Sequence, residues 1–207
     1  WGGSGNDDGN PQDSKTFDLL QDGTTPERST NDDGRVFPFA ALTPDGSMLV
    51  SNAITNEGSP IRGLQGESPS RLFLTETGMM IEAPTLTDQV KYALTPVFSP
   101  DGKLFAFSSY DNGDRAQKMK VMDVDLGAQP PVFGAPREVA ATTEGIVGWP
   151  SFLPDGKGLM FHQGERFDTN THGGGQSHAE LRLADLSTDT VNALRTLNGW
   201  LNDTDTY

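Results

Sequence analysis

The chain has 207 residues with no cysteine, 34% apolar residues, 24 Gly, 14 Pro and a net charge of −14. The missing thiols exclude disulfides, cysteine zinc sites and thiol catalysis, and the acidic surface makes phosphate backbones and anionic lipid poor partners. No apolar run approaches the length of a membrane span.

Residues 1–34 read as an acidic Gly/Asn/Asp-rich leader or linker, too poor in apolar groups to offset the entropy of ordering. Asp7, Asp8 and Asp13 could hold calcium weakly, although a solvated linker accounts for them better. The patch Phe17-Asp18-Leu19-Leu20 suggests a strand lent to a neighbouring unit. The start at Trp1 rather than Met leaves room for a processed upstream segment.

From residue 35 onward the chain repeats itself. Pro44-Asp45-Gly46, Pro100-Asp101-Gly102 and Pro154-Asp155-Gly156 each follow a short apolar run and lead into another: Met48-Leu49-Val50, Leu104-Phe105-Ala106-Phe107 and Leu159-Met160-Phe161. Proline pre-sets φ, Asp tolerates the bridge region and Gly accepts positive φ, so each motif predicts a hairpin turn. A third run ends at Glu76, Asp123 or Asp185, acids expected to organise the next turn, and a fourth covers residues 79–82, 137–140 and 191–194. Four short strands per repeat of roughly fifty residues is the anatomy of a β-propeller blade. The expected fold is therefore all-β: three four-stranded blades, at about 35–88, 89–142 and 143–198, of a larger or fragmentary propeller. The end of the chain reads as the approach to a further blade, so the sequence is expected to be a piece of a longer or cleaved polypeptide. Trp149 and Phe152 are expected to pack between blades.

The unit Ser99-Pro100-Asp101-Gly102-Lys103-Leu104-Phe105-Ala106-Phe107-Ser108-Ser109, with Lys120-Val121-Met122-Asp123, resembles the TolB-type, WD-like propeller repeat. The third unit departs from it at Leu153 and by an inserted Gly158; the first departs at Thr43 and Ser47. The resemblance implies an exported bacterial protein of the periplasm or cell surface, with binding, scaffold or enzyme-accessory roles.

The recurrence of Asp45, Asp101 and Asp155 fits turn structure better than catalysis. Asp123-Val124-Asp125-Leu126-Gly127 looks like half a calcium loop without its closing ligands. His162, His172 and His178 lie close in sequence, with Asp168 and Glu180 nearby. Asp168, His172 and His178 are the candidate ligands for zinc, nickel or calcium, at intervals that match no known motif. The same stretch, including Asn170 and Gln176, reads better as a solvent-exposed or partner-binding loop. Gly175-Gln176-Ser177-His178-Ala179 falls short of a nucleophile elbow, which needs strand, turn and helix. No cofactor is expected beyond a possible divalent cation. The sequence favours a non-catalytic module that binds a protein partner or further blades. The alternative is an accessory propeller of a hydrolase or metal-dependent lactonase whose active site lies elsewhere.

Overall fold

The computed structural model describes residues 15–17, 27–29, 40–51, 69–111, 113–164 and 179–198. Among them are fifteen strands and one helical turn: β1 (Lys15–Phe17), β2 (Glu27–Ser29), β3 (Ala41–Leu42), β4 (Met48–Ser51), β5 (Arg71–Leu74), β6 (Met80–Ile81), α1 (Pro84–Thr87), β7 (Ala93–Phe98), β8 (Leu104–Ser109), β9 (Lys118–Asp125), β10 (Val132–Phe133), β11 (Arg137–Ala141), β12 (Ile146–Phe152), β13 (Gly158–Gly164), β14 (Ala179–Asp185) and β15 (Thr190–Ala193). Three antiparallel sheets result, one for each Pro-Asp-Gly repeat: β3-β4-β5-β6 and β12-β13-β14-β15 have four strands, and the middle one has β7-β8-β9-β11 with β10 as a fifth strand.

The chain divides into two compact units, Trp1–Ala93 with Asp125–Gly134, and Leu94–Val124 with Ala135–Tyr207. In the first, Leu49 and Phe73 form a small core bordered by Ala40 and Leu42. Helix α1 opens on Pro84 and buries Leu86. The Thr85 hydroxyl accepts the Phe133 amide at 2.9 Å, which fixes β10 beside the helix. A single turn is too short to leave a helical period in the sequence. Strand β1 pairs with β2 rather than with a blade, and residues 18–20 lie outside the described residues.

The second unit holds the larger core. Ala106, Met119, Val121, Val139 and Ala140 of one sheet interleave with Val147, Leu159, Phe161 and Ala184 of the next. Leu104–Ser109 has no polar side because Phe105 and Phe107 on its other face are also buried, with Phe105 also against Phe98 at 5.0 Å between ring centres. A strand covered on both sides reads as a continuous apolar run. Phe152 packs against this core as expected.

The hairpin turns share one backbone and differ in what closes it. Gly46, Gly102 and Gly156 all stand near φ +71°, a conformation that costs a glycine least. The amide of the residue before each proline donates to a strand carbonyl five residues on: Thr43 to Met48, Ser99 to Leu104 and Leu153 to Gly158. Gly158 is therefore the in-register counterpart of Met48 and Leu104 and is no insertion. In the first two turns the hydroxyl donates to the turn carboxylate, Thr43 to Asp45 at 2.6 Å and Ser99 to Asp101 at 2.7 Å. That bond is the largest cause holding both carboxyls below their ordinary range.

The third turn replaces the hydroxyl with a packing contact. A Cβ placed on Gly158 would lie 2.6 Å from Leu153 Cδ1 and 3.3 Å from Leu183 Cδ1. The leucine side chain thus occupies the volume that Leu104 or Met48 would fill, and the two positions have exchanged bulk. Gly158→Leu should lower stability by about 1–3 kcal/mol through overpacking. Adding Leu153→Ser should recover most of that loss, which a double-mutant cycle by urea unfolding would measure; independent, additive costs would contradict the exchange.

Candidate functional site

Each sheet has two unlike ends. At one lie the Pro-Asp-Gly turns and the turns between third and fourth strands. At the other the second strands end and the third begin, and the numbers of residues joining them, 52–70, 110–117 and 165–178, differ. The turn end is locally satisfied. Asp185 Oδ1 accepts the Ser187 amide at 2.8 Å and its hydroxyl at 2.6 Å, and these bonds lower its pKa. Asp125 Oδ1 accepts the amides of Gly127 and Ala128 at 3.0 and 3.2 Å. The resemblance to half a calcium loop therefore resolves into an Asx turn. Register also separates the three acids: Asp123 pairs opposite Leu104 as Asp185 does opposite Gly158, whereas Leu74 holds that place opposite Met48. Glu76 thus corresponds to Asp125, two residues further along.

The other end carries the described chemistry. Between β8 and β9 the chain turns through positive φ at Gly113, Arg115 and Ala116. Asp114 lies beneath this turn and gathers three donors: the Ser109 hydroxyl at 2.8 Å, Lys120 Nζ at 2.7 Å and Lys118 Nζ at 3.1 Å. Burial pushes its carboxyl up, but the hydrogen bonds from Lys120, Ser109 and Lys118 outweigh that effect, and the net displacement is downward. Lys120 Nζ also donates to Ser109 at 3.0 Å. A serine beside a lysine suggests a nucleophile and its base. Here the serine is fully buried, and the lysine, ion-paired as an ammonium, has no lone pair to accept a proton. The cluster clamps the loop. Sequence reasoning missed it, because Lys118 and Lys120 alternate with apolar residues as on any strand with one wet face.

Beside it, β12 approaches β8. The Ser108 hydroxyl donates to the Val147 carbonyl, and the Val147 amide donates to Ala116 at 2.8 Å. Thr95 and Trp149, each preceding a proline, both adopt positive φ, and the Trp149 amide donates to the Thr95 hydroxyl at 3.0 Å. Such backbone strain in side chains other than glycine gathers at functional surfaces. The pairing of β12 with β13 slips between Gly148 and Ser151. Trp149, expected to pack between blades, is left 43% exposed by that irregularity.

The histidine stretch is only partly covered. Asp168, Asn170, His172, Gln176 and His178 lie outside the described residues. His162 is exposed on β13, opposite Gly148 and Leu181. Glu180 lies 2.7 Å from Arg182 and is engaged by that guanidinium. Among the described residues no three His, Asp or Glu side chains gather as a metal site, and no helix is long and apolar enough to cross a membrane.

No family model and no curated protein matches the chain. Among solved structures it is similar to TolB from Acinetobacter baumannii, at 17% identity and TM-score 0.50 over 84% of this chain and 36% of that one. It is also similar to a chain of the nidogen/laminin complex, at 8% identity and TM-score 0.54 over 87% of this chain and 57% of that one. A prolyl endopeptidase chain aligns at 17% identity and TM-score 0.49, over 84% of this chain and 24% of its own. The first two likenesses are of fold, that of β-propeller blades, and this chain spans less than two thirds of either structure.

Asp114→Asn removes the charge that holds Lys118 and Lys120 and should cost about 1–3 kcal/mol at pH 7. Because the folded pKa is depressed, the stabilisation is fully present above the unfolded carboxyl value of about 4 and is lost as pH falls through the folded value. Unfolding curves of the two proteins should therefore converge in acid; a gap that persists unchanged at low pH would contradict the assignment.

Proposed function

We propose that the chain is a non-catalytic, exported β-propeller module that recognises a protein partner through the loop ends of its sheets. The observation that carries this is the contrast between the two ends. The turns are closed by their own side chains, while the opposite end varies in connection length and, in the second unit, holds backbone strain at Arg115 and Ala116. Rigid sheets with divergent loops at one end are the usual form of a recognition surface. A propeller-type chain of the same fold was solved within the nidogen/laminin protein complex, which supports a binding role. The charge of −14 favours a partner with a basic face and explains why nucleic acid is a poor candidate. Export follows from the likeness of the repeats to TolB and suits the acidic leader.

The test is a binding comparison among loop and turn variants. A protein captured by the wild-type chain should be lost, by about tenfold or more in affinity, on replacing residues 110–117 or residues 165–178 with a short Gly-Ser linker. It should be retained by Asp155→Asn at the turn end. Equal retention by all three would remove the loop ends from recognition, and hydrolysis of ester, lactone or peptide substrates by the purified chain would favour the accessory-enzyme alternative.

A further inference from the structure

The two sheets of the second unit are not covered alike. Register places Gly158 where Leu104 stands, so Met160 and His162 on β13 correspond to Ala106 and Ser108 on β8. Likewise Leu181 and Leu183 on β14 correspond to Met119 and Val121 on β9. Ala106, Met119 and Val121 are fully buried because the β12–β15 sheet lies on them. Met160 pairs with Leu183 and His162 with Leu181, so these four share one face of their sheet. That face is the reverse of the one carrying Leu159, Phe161 and Ala184 into the core. Met160, Leu181 and Leu183 remain partly exposed, and His162 is exposed.

We propose that this face is the docking surface for a fourth four-stranded antiparallel sheet of the same kind, lying outside these 207 residues. Three features support that occupant. The established interface between the second and third sheets recurs position by position on the third. The described residues supply three such sheets, whereas a propeller ring closes with about four to eight blades. The one polar position also matches: Ser108 donates to the Val147 carbonyl of the adjoining first strand, and His162 occupies the same place with a ring N–H. His162 is thus a contact to the backbone of the next sheet rather than a metal ligand. The surface is separate from the loop ends and does not depend on their role.

The absence of cysteine makes the test direct. Leu183→Cys is compared with the covered reference Met119→Cys in the 207-residue chain and in the chain extended by a second copy of its residues 143–198. Maleimide labelling of Leu183→Cys should be fast in the former and fall by about tenfold or more in the latter, toward the reference. Leu183→Lys should change the melting temperature of the 207-residue chain by less than about 2 °C and that of the extended protein by more than about 5 °C. Unchanged labelling on extension, or a large destabilisation of the 207-residue chain by the lysine, overturns the proposal. So does a self-association of the 207-residue chain that Leu183→Lys abolishes, since the occupant would then be a second copy.

Discussion

A β-sheet that is apolar on both faces must be covered on both, and this requirement organises the second unit. Phe105 and Phe107 point to one side of β8, Ala106 and Ser108 to the other, and all four are buried. Burying an aromatic or aliphatic side chain contributes about 1.5–3 kcal/mol each, so stacked sheets gain more than any surface ion pair supplies. One polar atom that stacking traps, the Ser108 hydroxyl, is satisfied across the junction by the Val147 carbonyl. Small residues at Ala106 and Ala184 let the larger Leu159 and Phe161 enter.

What could be read from sequence was local. Pro-Asp-Gly specifies its own turn geometry, so three hairpins and their strands follow from a few residues each. The fourth strands and the packing of Phe152 against the core also follow, because apolar alternation in a short strand states which side meets the core. Features set by register were hidden. The outward position of Trp149 depends on a slip of β12 against β13, which no residue of the Trp149-Pro150 step announces. The correspondence of Glu76 with Asp125 emerges only once strand pairing is known. The Asp114 cluster unites residues from a loop and two strands, each of which resembles ordinary surface.

The two sheet ends divide labour in physical terms. Turns whose carboxylates are occupied by neighbouring hydroxyls and amides offer little to a ligand. The β8–β9 connection instead stores strain at Arg115 and Ala116, held down by the ion pairs of Asp114. The backbone of that connection is thereby held in one conformation.

The exchange of bulk between Leu153 and Gly158 also bears on the order in which the sheets assemble. The β7–β8 hairpin closes with groups inside a six-residue span, since the Ser99 hydroxyl, the Asp101 carboxylate and the Leu104 amide satisfy one another. The β12–β13 hairpin keeps the backbone turn and the Lys157 amide on Asp155 Oδ1, but puts Leu153 in place of the hydroxyl, and the other side chain beside Gly158 is Leu183 of β14, beyond a long connection. The loop-closure entropy of that connection falls due before the contact is made. Both hairpins therefore take their register from the turn, while the third sheet completes its packing at Gly158 only when its third strand arrives.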